Sequence, residues 1–119
     1  MNPDRVADCL FCRVVAGEIP STRVREDDAI LAIRDIAPRA PTHVLLMPKA
    51  HVASAADLTV EHGELLGRIF AAAAEIARAE GIADRGYRVV TNVGAWGGQS
   101  VDHLHFHLMG GRAFEWPPG

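Results

Sequence analysis

Apolar and polar positions along this chain follow two rhythms, and the change from one to the other marks its elements. Between about Val60 and Glu80, Leu65, Leu66, Ile69, Phe70, Ala73, Ile76 and Ala77 recur at the spacing of one helical face. Thr59 is placed to cap that helix by accepting from its orphan amides, and Gly81 suits the left-handed turn just past its end. The spacing therefore predicts a helix over 60–80 whose alanines let it lie close against a sheet. Arg23 to Glu26 and Ala29 to Arg34 read as two strands of a hairpin that turns at Asp27-Asp28. His43 to Met47 reads as a buried strand, entered from a turn held by Pro38 and Pro41 and ended by Pro48. Tyr87 to Asn92 and Val101 to Met109 are the last two strands, with Gly94 to Ser100 as the loop between them. Phe11 to Ala16 reads as a short N-terminal helix closed by Gly17. One long helix and one short one against a mostly antiparallel sheet give an α+β architecture.

Composition narrows what such a fold can serve. The 119 residues show no repeat, linker or low-complexity tract, so a single domain over 1–119 is expected. Twelve basic and fifteen acidic residues leave a net charge of -3 and no basic stripe, which excludes nucleic acid as a partner held through its phosphates. No apolar run approaches the ~20 residues of a membrane span. The segment Met1 to Asp8 carries Asp4, Arg5 and Asp8 and lacks the apolar stretch of a secretion signal, so a cytoplasmic location is expected. Cys9 and Cys12, in a reducing compartment, argue against a structural disulfide.

The chemistry gathers near the C-terminus. His103, His105 and His107 alternate with Leu104, Phe106 and Leu108, so on a strand the three imidazoles share one face, neighbours about 6.5 Å apart. Imidazole titrates near neutrality and serves as nucleophile, acid or hydrogen-bond donor; it is also the commonest metal ligand, so catalysis and a metal site both stand as readings. Just upstream, Gly97-Gly98-Gln99-Ser100 offers backbone that can approach a ligand closely and successive amides suited to an anion. A phosphorus atom would fit between that loop and His105.

The run from Asn92 to His107, ending His103-Leu104-His105-Phe106-His107-Leu108-Met109, strongly resembles the histidine triad (HIT) nucleotide-binding family. Cys9-Leu10-Phe11-Cys12, Gly17-Glu18-Ile19-Pro20, Ala40-Pro41-Thr42-His43, Pro48-Lys49 and the closing Trp116-Pro117-Pro118-Gly119 extend the likeness over nearly the whole chain, and the last points to the branch of small purine nucleoside phosphoramidases. The resemblance implies a HIT-like fold, a homodimer with a sheet continued across its interface, and a pocket for a purine nucleotide of the AMP or GMP type. It implies His105 as a nucleophile that forms a nucleotidyl-histidine, with His107 and His43 as phosphate donors. Ser100 would pass a proton to the leaving group, and Asn92, Gly98 and Gln99 would complete the phosphate cradle. Asp35 resembles the carboxylate that receives the ribose hydroxyls, Leu10, Phe11, Val14, Ile33 and Ile36 the lining of the base slot, and Trp116 a contact with the partner subunit. For Phe11 and Ile33 a plain core role stands beside that reading. Trp96 departs from the branch, which usually has small polar residues there; it would lean over the leaving group or cover the interface.

Cys9-x-x-Cys12 is open to three readings: a redox pair, free thiols, or half a zinc site. A redox pair would open a helix after a strand, and no strand precedes it. The resemblance implies structural zinc held by Cys9, Cys12, His51 and His103, with His103 then an orienting residue. His62, on the polar side of the long helix, reads as solvated. Two further functions compete with the hydrolase: a nucleotide-binding regulatory module with incidental turnover, and a metalloenzyme using all three triad histidines on one ion. A binder needs neither nucleophile nor proton donor, and histidines in a line suit a tetrahedral ion poorly.

Overall fold

The computed structural model describes residues 5–119. Five strands form an antiparallel sheet: β1 (Arg23–Glu26), β2 (Ile30–Arg34), β3 (Thr42–Pro48), β4 (Tyr87–Val90) and β5 (Phe106–Gly110), in the spatial order β1-β2-β3-β5-β4. The hairpin β1–β2 turns where expected, because the Asp27 carboxylate accepts from the amides of both Ala29 and Ile30 at 2.8 Å. The α+β architecture read from the sequence is the one found.

Alternation along the strands sorts side chains into two cores. Ile30, Ala32, Val44, Leu46, Leu104, Phe106 and Leu108 face the long helix α2 (Gly63–Ala79) and bury Ile69, Ala72, Ala73, Ile76 and Ala77. Leu31, Ile33, Leu45 and Met47 face the other way and are covered by Cys9, Phe11, Cys12 and Val14 of the short helix α1 (Leu10–Val15) and its cap. β3 is buried along its whole length because it runs between both layers. α1 is too short to cover its face, and the remainder of that face carries the histidines.

Three elements differ from the sequence reading. The α-helix starts at Gly63, after a single 3-10 turn over Val60–His62. His62 is not simply solvated: its Nδ1 accepts the Thr59 amide at 2.9 Å while the Thr59 hydroxyl accepts from the Glu61 amide at 3.3 Å, a reciprocal cap. Gly81 ends the helix at φ +75°, as anticipated. Phe70 is half exposed, yet its ring meets Phe106 edge-on at 5.5 Å between centroids.

The third difference matters most. The ladder of the last strand begins at Phe106, not Val101, and β4 stops at Val90, opposite His107. Past that pair the Thr91 hydroxyl donates to the carbonyl of His105 at 2.8 Å, and the Leu104 amide donates to the Val52 carbonyl at 2.6 Å. Residues 101–105 are thus held by single bonds to other segments, outside any ladder. Among the described residues no helix is long and apolar enough to cross a membrane.

Ile69 is fully buried at the centre of the α2 face. Its replacement by alanine is expected to cost about 2–5 kcal/mol, the range for deleting a large aliphatic side chain from a packed core. Urea denaturation should show this as a lower midpoint with an unchanged slope.

Candidate active site and metal cluster

On the half of the sheet that α1 leaves open, His105, His107 and His43 form a row, with ring centroids 5.1 Å apart for the first pair and 5.2 Å for the second. His43 and His107 come from the paired strands β3 and β5; His105 comes from the irregular stretch just before β5. The Nδ1 of His105 donates to the carbonyl oxygen of His103 at 2.7 Å. In a neutral imidazole the other nitrogen then carries the lone pair. Phe11 stands edge-on to this ring at 5.0 Å and backs it.

His43 is buried, and both its nitrogens are engaged. Nδ1 accepts the Arg39 amide at 3.0 Å, while Nε2 lies 2.9 Å from His107 Nδ1 and 3.3 Å from Asp35 Oδ2. Both ring nitrogens of His43 thus meet groups of the chain itself. Burial, with the adjacent His105 and His43 rings, pushes His107 down to about 4; Asp35 opposes this weakly. Burial also lowers His43, against the pull of Asp35. Both rings are therefore neutral near pH 7, and Asp35 stands near a neutral ring rather than beside an imidazolium.

A second cluster lies at the cap of α1. Cys9, Cys12, His51 and His103 each offer one ligand atom, all within 4.8 Å of one another. Cys9 Sγ is 3.3 Å and Cys12 Sγ 3.6 Å from His103 Nδ1, and Cys12 Sγ is 3.4 Å from His51 Nδ1. A tetrahedral ion with metal–nitrogen bonds near 2.0 Å and metal–sulfur bonds near 2.3 Å would space its ligand atoms by roughly 3.3–3.8 Å. The His103 Nε2 donates to the Pro48 carbonyl at 2.8 Å, which leaves Nδ1 as the lone-pair nitrogen that a metal requires. Burial raises the Cys9 thiol, so a thiolate at Cys9 calls for a cation. The donor set fits a metal.

The glycine loop is built differently from the anion nest read in the sequence. The amides of Gly97, Gly98 and Gln99 donate within the loop, to the carbonyls of Gly94, Ala95 and Gly94, because positive φ at Gly94 and Gly98 closes it into a tight turn. Asn92 donates to the Gly97 carbonyl at 2.6 Å, and the Gln99 amide group donates to the carbonyls of Ala53 and Val101 and accepts from the Gly94 amide. Both side chains therefore shape the loop. A Cβ on Gly97 would run into the Val93 carbonyl. Ser100 is exposed and lines, with Cys9, Leu10, His51 and Asp102, a cavity of about 410 Å³.

Of the apolar residues assigned to a base slot, Phe11, Val14 and Ile33 are buried in the α1 core, whereas Leu10 and Ile36 face solvent, Ile36 completely. Trp96 at the loop tip and Trp116 in the tail are exposed as well; in the tail, the guanidiniums of Arg88 and Arg112 lie 5.0 and 4.2 Å from the Phe114 ring centroid. Sequence reasoning missed the Arg39 amide and the Thr91 hydroxyl. Thr91 stands beside Asn92 at the end of a strand and was within reach of that reasoning; a main-chain donor leaves no mark on a residue type.

Comparison with known proteins places these features in company. The model of the HIT domain matches residues 16–114. Purine nucleoside phosphoramidase of Escherichia coli strain K12 is 46% identical over 105 residues, 88% of each chain. A 14 kDa zinc-binding protein of Brassica juncea is 46% identical over 94% of this chain and 100% of its own length. The crystal structure of a HIT family hydrolase from Legionella pneumophila superposes with a TM-score of 0.92 at 53% identity, covering 94% of this chain and all of that one.

The depressed His107 titration has a measurable sign. As pH falls below about 6.5, the unfolded chain takes up this proton first, since the folded ring waits until about 4. Stability is expected to decline across that window through this ring and to level off, for this contribution, beneath it. Proton NMR of the His107 ring should give a midpoint near 4, well below that of a free histidine.

Proposed function

The chain belongs to the HIT domain family of nucleotide-binding hydrolases, and from that premise we propose that it is a purine nucleoside phosphoramidase working through a nucleotidyl-histidine at His105. The observation that carries the proposal is the 2.7 Å bond from His105 Nδ1 to the His103 carbonyl, which leaves Nε2 as the lone-pair nitrogen of this buried ring. A nucleophile is activated when its other nitrogen is held as a donor, and covalent catalysis divides one difficult substitution into two easier ones.

In the first step Nε2 of His105 attacks the α-phosphorus, the phosphorus–nitrogen bond of the substrate breaks in line, and the departing amine takes a proton supplied through Ser100. In the second, water attacks the same phosphorus, the histidine–phosphorus bond breaks, and a nucleoside monophosphate of the AMP or GMP type leaves with His105 restored. His107 donates to a non-bridging oxygen as charge moves onto it. The Ser100 amide, with the loop shaped by Asn92, Gly98 and Gln99, lies along the phosphate. Asp35 accepts from the ribose hydroxyls, and the exposed Leu10 and Ile36 cover the base, with Phe11 holding His105 from behind. The functional form is a homodimer in which Trp116 reaches the partner subunit.

Cys9, Cys12, His51 and His103 would hold zinc, which with four protein ligands supplies structure and no open position for chemistry. Its protein-side role is to fix His103, whose carbonyl orients His105.

His105→Ala should lower AMP release from an adenosine phosphoramidate by several orders of magnitude while AMP binding persists; equal rates would remove the covalent route. Zinc content, measured by atomic emission on the purified protein, should fall from about one ion per chain to a trace in the Cys9→Ser, Cys12→Ser double variant. Unchanged zinc in that variant would break the four-ligand assignment.

A further inference from the structure

Three histidines lie side by side on the α1 side of the sheet, His43 and His105 buried and His107 half-buried, and their hydrogen-bond anchors allow each proton to be located. A neutral imidazole has one N–H and one lone pair. The Arg39 amide can only donate, so His43 Nδ1, 3.0 Å away, holds the lone pair and Nε2 holds the proton. That Nε2–H points at His107 Nδ1, 2.9 Å away, which must then accept. The proton of His107 is left on Nε2. His105 is anchored in the opposite sense, because its Nδ1 donates to a carbonyl.

We propose that the main-chain amide of Arg39 is a positioning group that fixes the tautomers of His43 and, through it, His107, so that His107 presents an N–H donor beside the lone pair of His105. Neighbouring rings two residues apart thus hold opposite tautomers: one attacks, the other donates. The catalytic use of this order rests on the reading of His105 given above; the order itself does not.

The same atoms admit one rival. Asp35, His43 and His107 offer ligand atoms within 4.8 Å of one another, a two-histidine, one-carboxylate set. A metal on His43 Nε2 would need the lone pair there and the proton on Nδ1, which would set two N–H groups against each other across 3.0 Å. Hydrogen-bond order and metal binding at this point exclude one another, and the Arg39 amide selects the first. Asp35 Oδ2 lies 3.3 Å from the same nitrogen, farther than His107 Nδ1 at 2.9 Å.

The test is nitrogen-15 NMR of the imidazoles in the intact, metal-loaded protein at neutral pH. His43 and His107 should each show a lone-pair type Nδ1 and a protonated type Nε2, and His105 the reverse. A protonated Nδ1 on His43 overturns the proposal, whether or not the protein cleaves phosphoramidates. Arg39→Pro removes the donor; it should mix the tautomers of His43 and His107 and lower kcat roughly tenfold with KM little changed, the loss of about one hydrogen bond. If the variant folds with its tautomers unaltered, the amide has no such role. His43→Gln, which returns an N–H near the Nε2 position, should keep more kcat than His43→Ala; equal losses would count against the relay. Should the unaltered protein lack phosphoramidase activity while the spectra match, the reading of function fails and the tautomer order stands.

Discussion

The site depends on one peptide carbonyl. The oxygen of His103 is free to accept from His105 because residues 101–105 do not join the sheet. β5 runs between β3 and β4, so a residue within its ladder has neighbours on both sides competing for its amide and carbonyl. Had the strand begun at Val101, as alternation alone suggests, that oxygen would have faced a neighbouring strand. The break in regular structure is what makes an oriented imidazole available. The same residue turns its Nδ1 to Cys9 and its Nε2 to Pro48, so both sides of its ring are held while its carbonyl meets His105.

The sheet divides its labour by face. The α2 side is apolar and closed, and carries stability through Ile69, Ile76, Leu46 and Leu108. The α1 side is half covered, with a small core around Leu31 and Met47 giving way to a row of imidazoles. Lone pairs and N–H groups are ordered there because His43 and His105 are each anchored on a main-chain group that cannot change its sign, and His107 is ordered through His43. Ion pairs such as Arg34–Glu80 and Lys49–Glu26 lie on the periphery and take no part in this order.

Much of this was legible in the residues. The period of α2, its Gly81 boundary, the Asp27 hairpin and the buried run of β3 all express local rules that tertiary contacts reinforce. The two-residue spacing of His103, His105 and His107, and the pairing of Cys9 with Cys12, pointed to both clusters. What escaped has a common cause. The inward-turned amides of the glycine loop, the carbonyls of Val52 and Pro48, and the Arg39 amide are backbone groups, identical in every residue, and only the path of the chain decides where they point. His62 escaped for a related reason: a histidine can close a cap as well as face water, and the residue type does not distinguish them.

Gly97 and Trp96 stand next to each other under opposite constraints. A side chain on Gly97 would collide with the rigid peptide of Val93, whereas Trp96 projects wholly into solvent from the bend. Drift in this stretch is therefore channelled: the foundation tolerates almost no replacement, while the tip can exchange bulk, charge or aromaticity without disturbing what lies below.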